Sequence, residues 1–154
     1  MKEKNQALQF AMKLIGIRKR SVFEVTERLK KKGFKENIIK EILKELKNYK
    51  YLNDEQFAES YINDRMNFRP CGRFLIMKEL RERGIVKNII NKKIEELLSV
   101  EIEIESAKRL ARKKIRAVSC KTDKNKINQK TKSYLQSRGY AFDIISQVIN
   151  NEMK

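Results

Sequence analysis

The sequence predicts an all-α protein made of three tandem three-helix repeats in an elongated array. Three observations carry that expectation. One Pro and five Gly in 154 residues leave few helix breakers. Apolar residues recur at three- and four-residue spacing along most of the chain, the signature of amphipathic helices. A glycine-centred pattern also returns three times: LKKKGFKENII at 29–39, LRERGIVKNII at 80–90 and LQSRGYAFDII at 135–145. Aligned on Gly33, Gly84 and Gly139, the copies lie 51 and 55 residues apart, close to a fixed period.

The first repeat spans 1–52. Ala7, Leu8, Ala11, Leu14 and Ile15 form the apolar stripe of its first helix. Ser21 and Glu24 then make a capping box that opens the second. That helix ends in Leu29-x-x-x-Gly33, where a left-handed glycine closes the last carbonyls and Phe34 folds back onto the helix it has left. Ile38, Ile39, Leu43 and Leu46 are the stripe of the third helix. Lys35 stands at its N-cap, as Val86 and Ala141 do in the later copies, and none of the three is a good capping residue.

The second repeat, 53–105, opens with Asn53-x-x-Gln56 and acidic Asp54 and Glu55 in the first turn. Phe57, Ala58, Tyr61 and Ile62 form its first stripe. FRPCGRF, with the chain's one Pro, marks the loop before the second helix. Leu80, Gly84, Ile85, Ile89, Ile90 and Ile94 repeat the pattern around Gly33. The third repeat, 106–154, has Ala107, Leu110, Ala111 and Ile115, then Leu135, Gly139, Tyr140, Ile144, Ile145 and Ile149. Units of about 50 residues are marginal alone, so neighbours are expected to stack. The competing arrangement is one compact nine-helix globule.

Charge narrows the function. Lys and Arg number 37 against 20 Asp and Glu, a net charge of +17 that points to a polyanion or an acidic protein surface. An AT-rich coding sequence would also enrich Lys, but the excess is uneven. Residues 1–52 carry net +9, 53–105 net −2 and 106–154 net +10. Two positive ends suit a polyanion; the middle suits protein. The candidate contacts are Arg18, Lys19 and Arg20; Lys30, Lys31 and Lys32; Arg69 and Arg73 flanking Cys71; and Lys108, Arg109, Arg112, Lys113 and Arg116. Lys108, Arg112 and Arg116, four apart, share a helical face. Such clusters bind phosphates without regard to base sequence and with strong salt dependence. A plain solvated face is the alternative for each. Tyr49, Tyr51, Tyr61 and Phe68 are assigned to core packing in preference to base stacking, from their places beside helix starts and on apolar stripes.

Enzyme chemistry has little support. The chain has no His, which removes Ser-His and Cys-His pairs and histidine-bearing zinc sites. No glycine-rich phosphate loop is present, and Asp54, Glu55, Glu59 and Asp64 read better as helix-surface residues than as a Mg²⁺ site. The chain is therefore expected to be a binder without catalytic residues, metal or cofactor. No apolar run is long enough for a membrane span, and the N-terminus has no cleavage motif. Two lone cysteines, Cys71 and Cys120, fit a reducing cytosol.

YLNDEQFAESYINDR at 51–65, the repeated Leu-x-x-x-Gly unit and YLQSRGYAFDIISQVI at 134–149 resemble the RecX family, bacterial regulators of the RecA recombinase. The resemblance runs from about residue 7 to 150 and is faintest over 106–133. It implies a curved array of three-helix repeats that lodges in RecA filaments on single-stranded DNA. It also implies a drop in recombinase, ATPase and coprotease activity by capping or wedging, and contact with single-stranded and double-stranded DNA. A monomeric cytoplasmic protein is expected, opening directly at its first helix without the N-terminal extension of longer relatives. The alternative from a different class is a helix-turn-helix protein acting on duplex DNA, since residues 20–43 and 73–94 each pair two helices across a short glycine turn. A basic RNA-associated protein is a third.

Overall fold

The computed structural model describes residues 1–118 and 123–153, among which nine α-helices and no strand occur. They are α1 (Lys2–Ile17), α2 (Val22–Lys32), α3 (Glu36–Asn48), α4 (Asp54–Phe68), α5 (Arg73–Glu82), α6 (Lys87–Leu97), α7 (Val100–Val118), α8 (Lys124–Ser137) and α9 (Phe142–Glu152). Cys120 lies outside the described residues. The order is three helices per repeat, as the glycine pattern requires. α7 begins at Val100, so Glu101, Glu103 and Glu105 belong to the first helix of the third repeat. Divided at that helix start, the three parts carry net +9, +1 and +7, and the basic–neutral–basic pattern persists.

All three glycines are left-handed, with φ of 95°, 76° and 85° at Gly33, Gly84 and Gly139. Each helix end closes the same way. The glycine N–H bonds back to Lys30, Arg81 or Gln136, and the next N–H bonds to the repeat's Leu: Phe34 to Leu29 at 3.3 Å, Ile85 to Leu80 at 3.1 Å, Tyr140 to Leu135 at 3.3 Å. This paired closure favours glycine at its turn, because glycine adopts the left-handed conformation without Cβ strain. The Ser21–Glu24 capping box forms with both of its bonds, the kind of cap that contributes about 1 kcal/mol. Lys35 and Ala141 sit at the N-caps of α3 and α9 and supply no side-chain cap.

Two compact units arise. One comprises Met1–Ser60 and Leu80–Ile90; the other comprises Tyr61–Glu79 and Asn91–Lys154. In the first, Ala7 and Ala11 of α1, Val25 and Leu29 of α2, and Ile39, Ile42 and Leu46 of α3 meet in a core closed by Leu52. In the second, Ala107 and Ala111 of α7 pack with Leu135 of α8 and with Tyr140, Ile144, Ile145, Val148 and Ile149. Burying a large aliphatic side chain fully stabilises by about 1.5–3 kcal/mol, and alanines at the α1 and α7 contacts let the helices close on one another.

Successive repeats join by one device, seen once in each unit. The start of a repeat's middle helix receives the glycine turn and a carboxylate of the repeat that follows. In the first unit, Ser21 Oγ donates to the Arg83 carbonyl at 2.6 Å, and Gly84 faces Phe23 so closely that a Cβ would collide with it. Asp54 accepts from the Val22 N–H at 2.9 Å. In the second unit, Gly72 N–H donates to the Arg138 carbonyl at 2.8 Å and Phe74 N–H to the Gly139 carbonyl at 3.1 Å. Glu103 accepts from the Arg73 N–H at 2.9 Å. Carboxylates are favoured there because a helix N-terminus presents unpaired N–H groups and a partial positive charge.

Candidate nucleic-acid interface

Helix α7 runs from acid to base. Glu101 and Glu103 occupy its first turn, and the cations gather toward its C-terminal end, an order that complements the helix dipole at both ends. Arg109, Arg112, Lys113 and Arg116 line a shallow depression of about 500 Å³. All four are exposed. Arg112 donates from Nε to Glu152 at 2.9 Å, and this hydrogen bond, with the attraction of the carboxylate, raises its guanidinium pKa. Lys108 lies outside the depression and pairs with Glu105 at 3.3 Å. Of the expected Lys108–Arg112–Arg116 face, Arg112 and Arg116 line the depression together with Arg109 and Lys113. Lys114 rests 5.2 Å above the Tyr134 ring.

In the first repeat, Arg18 is held by Glu24, with guanidinium–carboxylate distances of 3.2 and 3.3 Å. Lys19 donates to Ser60 Oγ at 2.8 Å, and Arg20 reaches the Leu14 carbonyl at 3.4 Å. Partial burial and the neighbouring Arg18 and Arg28 lower the Arg20 pKa, while Glu24 opposes the shift. Lys19 and Arg20 turn toward a cleft that also includes Lys50 and Tyr51. Lys30, Lys31 and Lys32 form the exposed last turn of α2. There Lys30 pairs with Glu27 at 3.7 Å and Lys32 lies 5.6 Å over Phe10.

The two arginines of the 68–73 loop part company. Arg69 is exposed, whereas Arg73 bonds through Nε and Nη2 to Glu103, at 2.8 and 2.7 Å, and Glu103 is wholly buried. Arg73 thus helps hold α5 to α7. The loop itself receives the Gly139 turn, with Cys71 and Gly72 buried beneath it. Burial raises the Cys71 thiol pKa, with Arg65 acting against the shift.

The aromatic assignments need correction. Tyr61 is half-buried and bonds to Glu79, which also takes a two-pronged contact from Arg65 at 2.7 and 3.0 Å. Tyr49, Tyr51 and Phe68 are instead 70%, 52% and 80% exposed and belong to no core. Each stands at or just past a helix end, where the periodicity that marks an inward face has run out. Lys50, unremarkable in the sequence, joins Tyr51 at the cleft. Among the described residues no group of three or more His, Cys, Asp or Glu is placed to hold a metal, and no helix is long and apolar enough to cross a membrane.

Three-helix repeats in tandem, with cations displayed at α7 and at the α1–α2 junction, define a class of basic helical-repeat protein. Comparison with known proteins makes the assignment specific. Residues 7–46, 53–93 and 101–149 match, in order, the family descriptions "RecX, first three-helix domain", "RecX, second three-helix domain" and "RecX, third three-helix domain". The chain belongs to the RecX family. It is 35% identical over 150 residues to the regulatory protein RecX of Clostridioides difficile, covering 97% of this chain and 68% of the relative. It is 37% identical over 157 residues to that of Clostridium perfringens, covering 99% and 71%. The crystal structure of RecX from Lactobacillus salivarius superposes with a TM-score of 0.87 at 27% identity, covering 97% of this chain and 96% of that one. A further RecX crystal structure, at 22% identity and a TM-score of 0.86, shares the fold. The family role is regulatory, and the expected all-α repeat architecture holds.

Proposed function

We propose that the chain binds RecA filaments on single-stranded DNA and lowers the recombinase, ATPase and coprotease activities of RecA by capping the filament or wedging into it. The observation that carries this reading is the match of all three RecX domains in order along the chain. In the proposal, the Arg109–Arg116 surface and the Arg18–Arg20 and Lys30–Lys32 clusters bring the protein to the phosphates of the strand or to acidic filament surface, an attraction that falls with salt. The near-neutral middle repeat meets protein. The protein works as a cytoplasmic monomer, by non-covalent contact and without cofactor.

The test is the ATPase rate of the cognate RecA on single-stranded DNA while the full chain is titrated in, with DNA alone and a salt series as controls. Inhibition well below one copy per RecA monomer supports capping. Inhibition only when the chain saturates the DNA means competition for the strand. An unchanged rate beside tight, sequence-preferring duplex binding moves the case to the helix-turn-helix alternative.

A further inference from the structure

Among the described residues, left-handed backbone occurs at Gly33, Gly84, Gly139 and Lys50. Lys50 closes α3 with the pair of bonds that the glycines use elsewhere: its N–H to the Lys47 carbonyl at 3.0 Å and the Tyr51 N–H to the Leu46 carbonyl at 2.8 Å. Its φ is 62°. A glycine would make this turn without the Cβ strain that lysine brings. Non-glycine residues held in such a conformation cluster at binding and catalytic sites.

Lys50 stands at a cleft of about 220 Å³ within the first unit. Lys19, Arg20 and Tyr51 share its walls, Ile15 and Phe57 contribute apolar surface, and no carboxylate is among the described residues lining it. Of the neighbouring cations, Arg18 has Glu24 as its partner, whereas Lys19 bonds to a neutral hydroxyl and Arg20 to a neutral carbonyl. Neither Lys19 nor Arg20 is thus hydrogen-bonded to a carboxylate, although Glu24 lies near enough to Arg20 to act on its charge. The volume is below the roughly 300–1,000 Å³ of pockets that enclose a whole small-molecule ligand. It suits one anionic group, with the rest of its carrier outside. Tyr51, half exposed, offers a flat aromatic surface at that position.

We infer that this cleft seats one phosphate group of a nucleotide, with the attached base laid on the Tyr51 ring. Lys19, Arg20 and Lys50 supply charge-assisted hydrogen bonds, and base–aromatic stacking supplies the remainder. The inference rests on the proposed contact of the Arg18–Arg20 cluster with phosphates and needs no RecA. A free mononucleotide and a nucleic-acid strand present the same chemistry.

The experiment follows backbone amide NMR signals of the full chain while inorganic phosphate, thymidine, thymidine monophosphate and an oligothymidylate are added separately. Monophosphate is expected to move the Lys50, Tyr51, Asn53 and Gln56 amides, phosphate to move them less and thymidine not at all. If the oligothymidylate alone moves them, the seat stands and its ligand is a strand. Lys50→Gly keeps the turn and relieves its strain, so the melting temperature should hold or rise while binding weakens roughly tenfold, as loss of one charged hydrogen bond predicts. Tyr51→Leu should weaken it by about fivefold or more. The inference is overturned if neither monophosphate nor oligothymidylate moves these amides, or if both variants bind as the parent does.

Discussion

Gly33 and Gly139 close their helices with the same pair of hydrogen bonds and stand in opposite surroundings. A Cβ at Gly33 would meet nothing within 4 Å. One at Gly139 would run into the backbone and side chain of Leu75. The first turn closes a helix and ends there. The second also seats on the preceding repeat, so one local motif serves two levels of structure. Gly84 belongs with Gly139, because Phe23 lies where its Cβ would be.

The sharpest test compares alanine at these positions. Gly33→Ala should cost about 1 kcal/mol, the strain of a left-handed alanine. Gly139→Ala adds a collision with backbone and should cost about 4 kcal/mol, combining that strain with overpacking. Urea denaturation of both variants would show it, and equal losses would break the comparison. Glu103→Gln weakens the other half of the inter-repeat joint. Removing one partner of a buried pair costs about 3–5 kcal/mol, but Arg73 keeps 31% of its side chain in solvent, which argues for about 2 kcal/mol.

Binding tests separate the two basic regions. Arg112→Glu with Arg116→Glu should lower affinity for single-stranded DNA and reduce the salt slope by about 1–2 in log–log units. The single change Arg18→Glu should do less, since it reverses one cation where the other variant reverses two, and both Arg18 and Arg112 already have a carboxylate partner. Fluorescence anisotropy at several salt concentrations reads both. Lys50→Gly should stabilise by up to about 1 kcal/mol, the inverse of the Gly33 substitution.

A further test is alkaline. Burial raises the Tyr140 pKa from 10.0 to about 12, although its 2.8 Å hydrogen bond with Ser106 works the other way. A folded-state pKa above the unfolded one gives stability that is full below pH 10 and declines until about pH 12. Tyr140→Phe should flatten that limb of the melting-temperature profile. An unchanged limb would assign it to other groups.

Much of the fold was legible because helix periodicity and a left-handed glycine are local signals. Leu29, Gly33 and Phe34 can be read within six residues, and their copies confirm one another. The joint between repeats was not legible. Asp54 and Glu103 reach the N–H groups of Val22 and Arg73, yet they precede their own repeat's glycine by 30 and 36 residues, so no fixed spacing marks them. Asp54 was placed correctly in a first helical turn, but its reach across to α2 left no trace in the sequence pattern. The cation clusters were visible as clusters. Their pairing was not, because Arg73–Glu103 and Arg112–Glu152 are separated by 30 and 40 residues. Lys50 was hidden by its identity, since a left-handed position is normally announced by glycine.

The seating of the Gly84 turn on α2 also bears on how the chain is made. A nascent chain that has exposed only its first 60 residues holds α1, α2 and α3 but lacks Arg83 and Gly84, which complete the start of α2. That unit becomes whole only after residue 90 has left the ribosome. By then part of the next unit, residues 61–79, has already emerged. Synthesis therefore interleaves the two units, and a stall between residues 60 and 80 would leave the first without its closing turn.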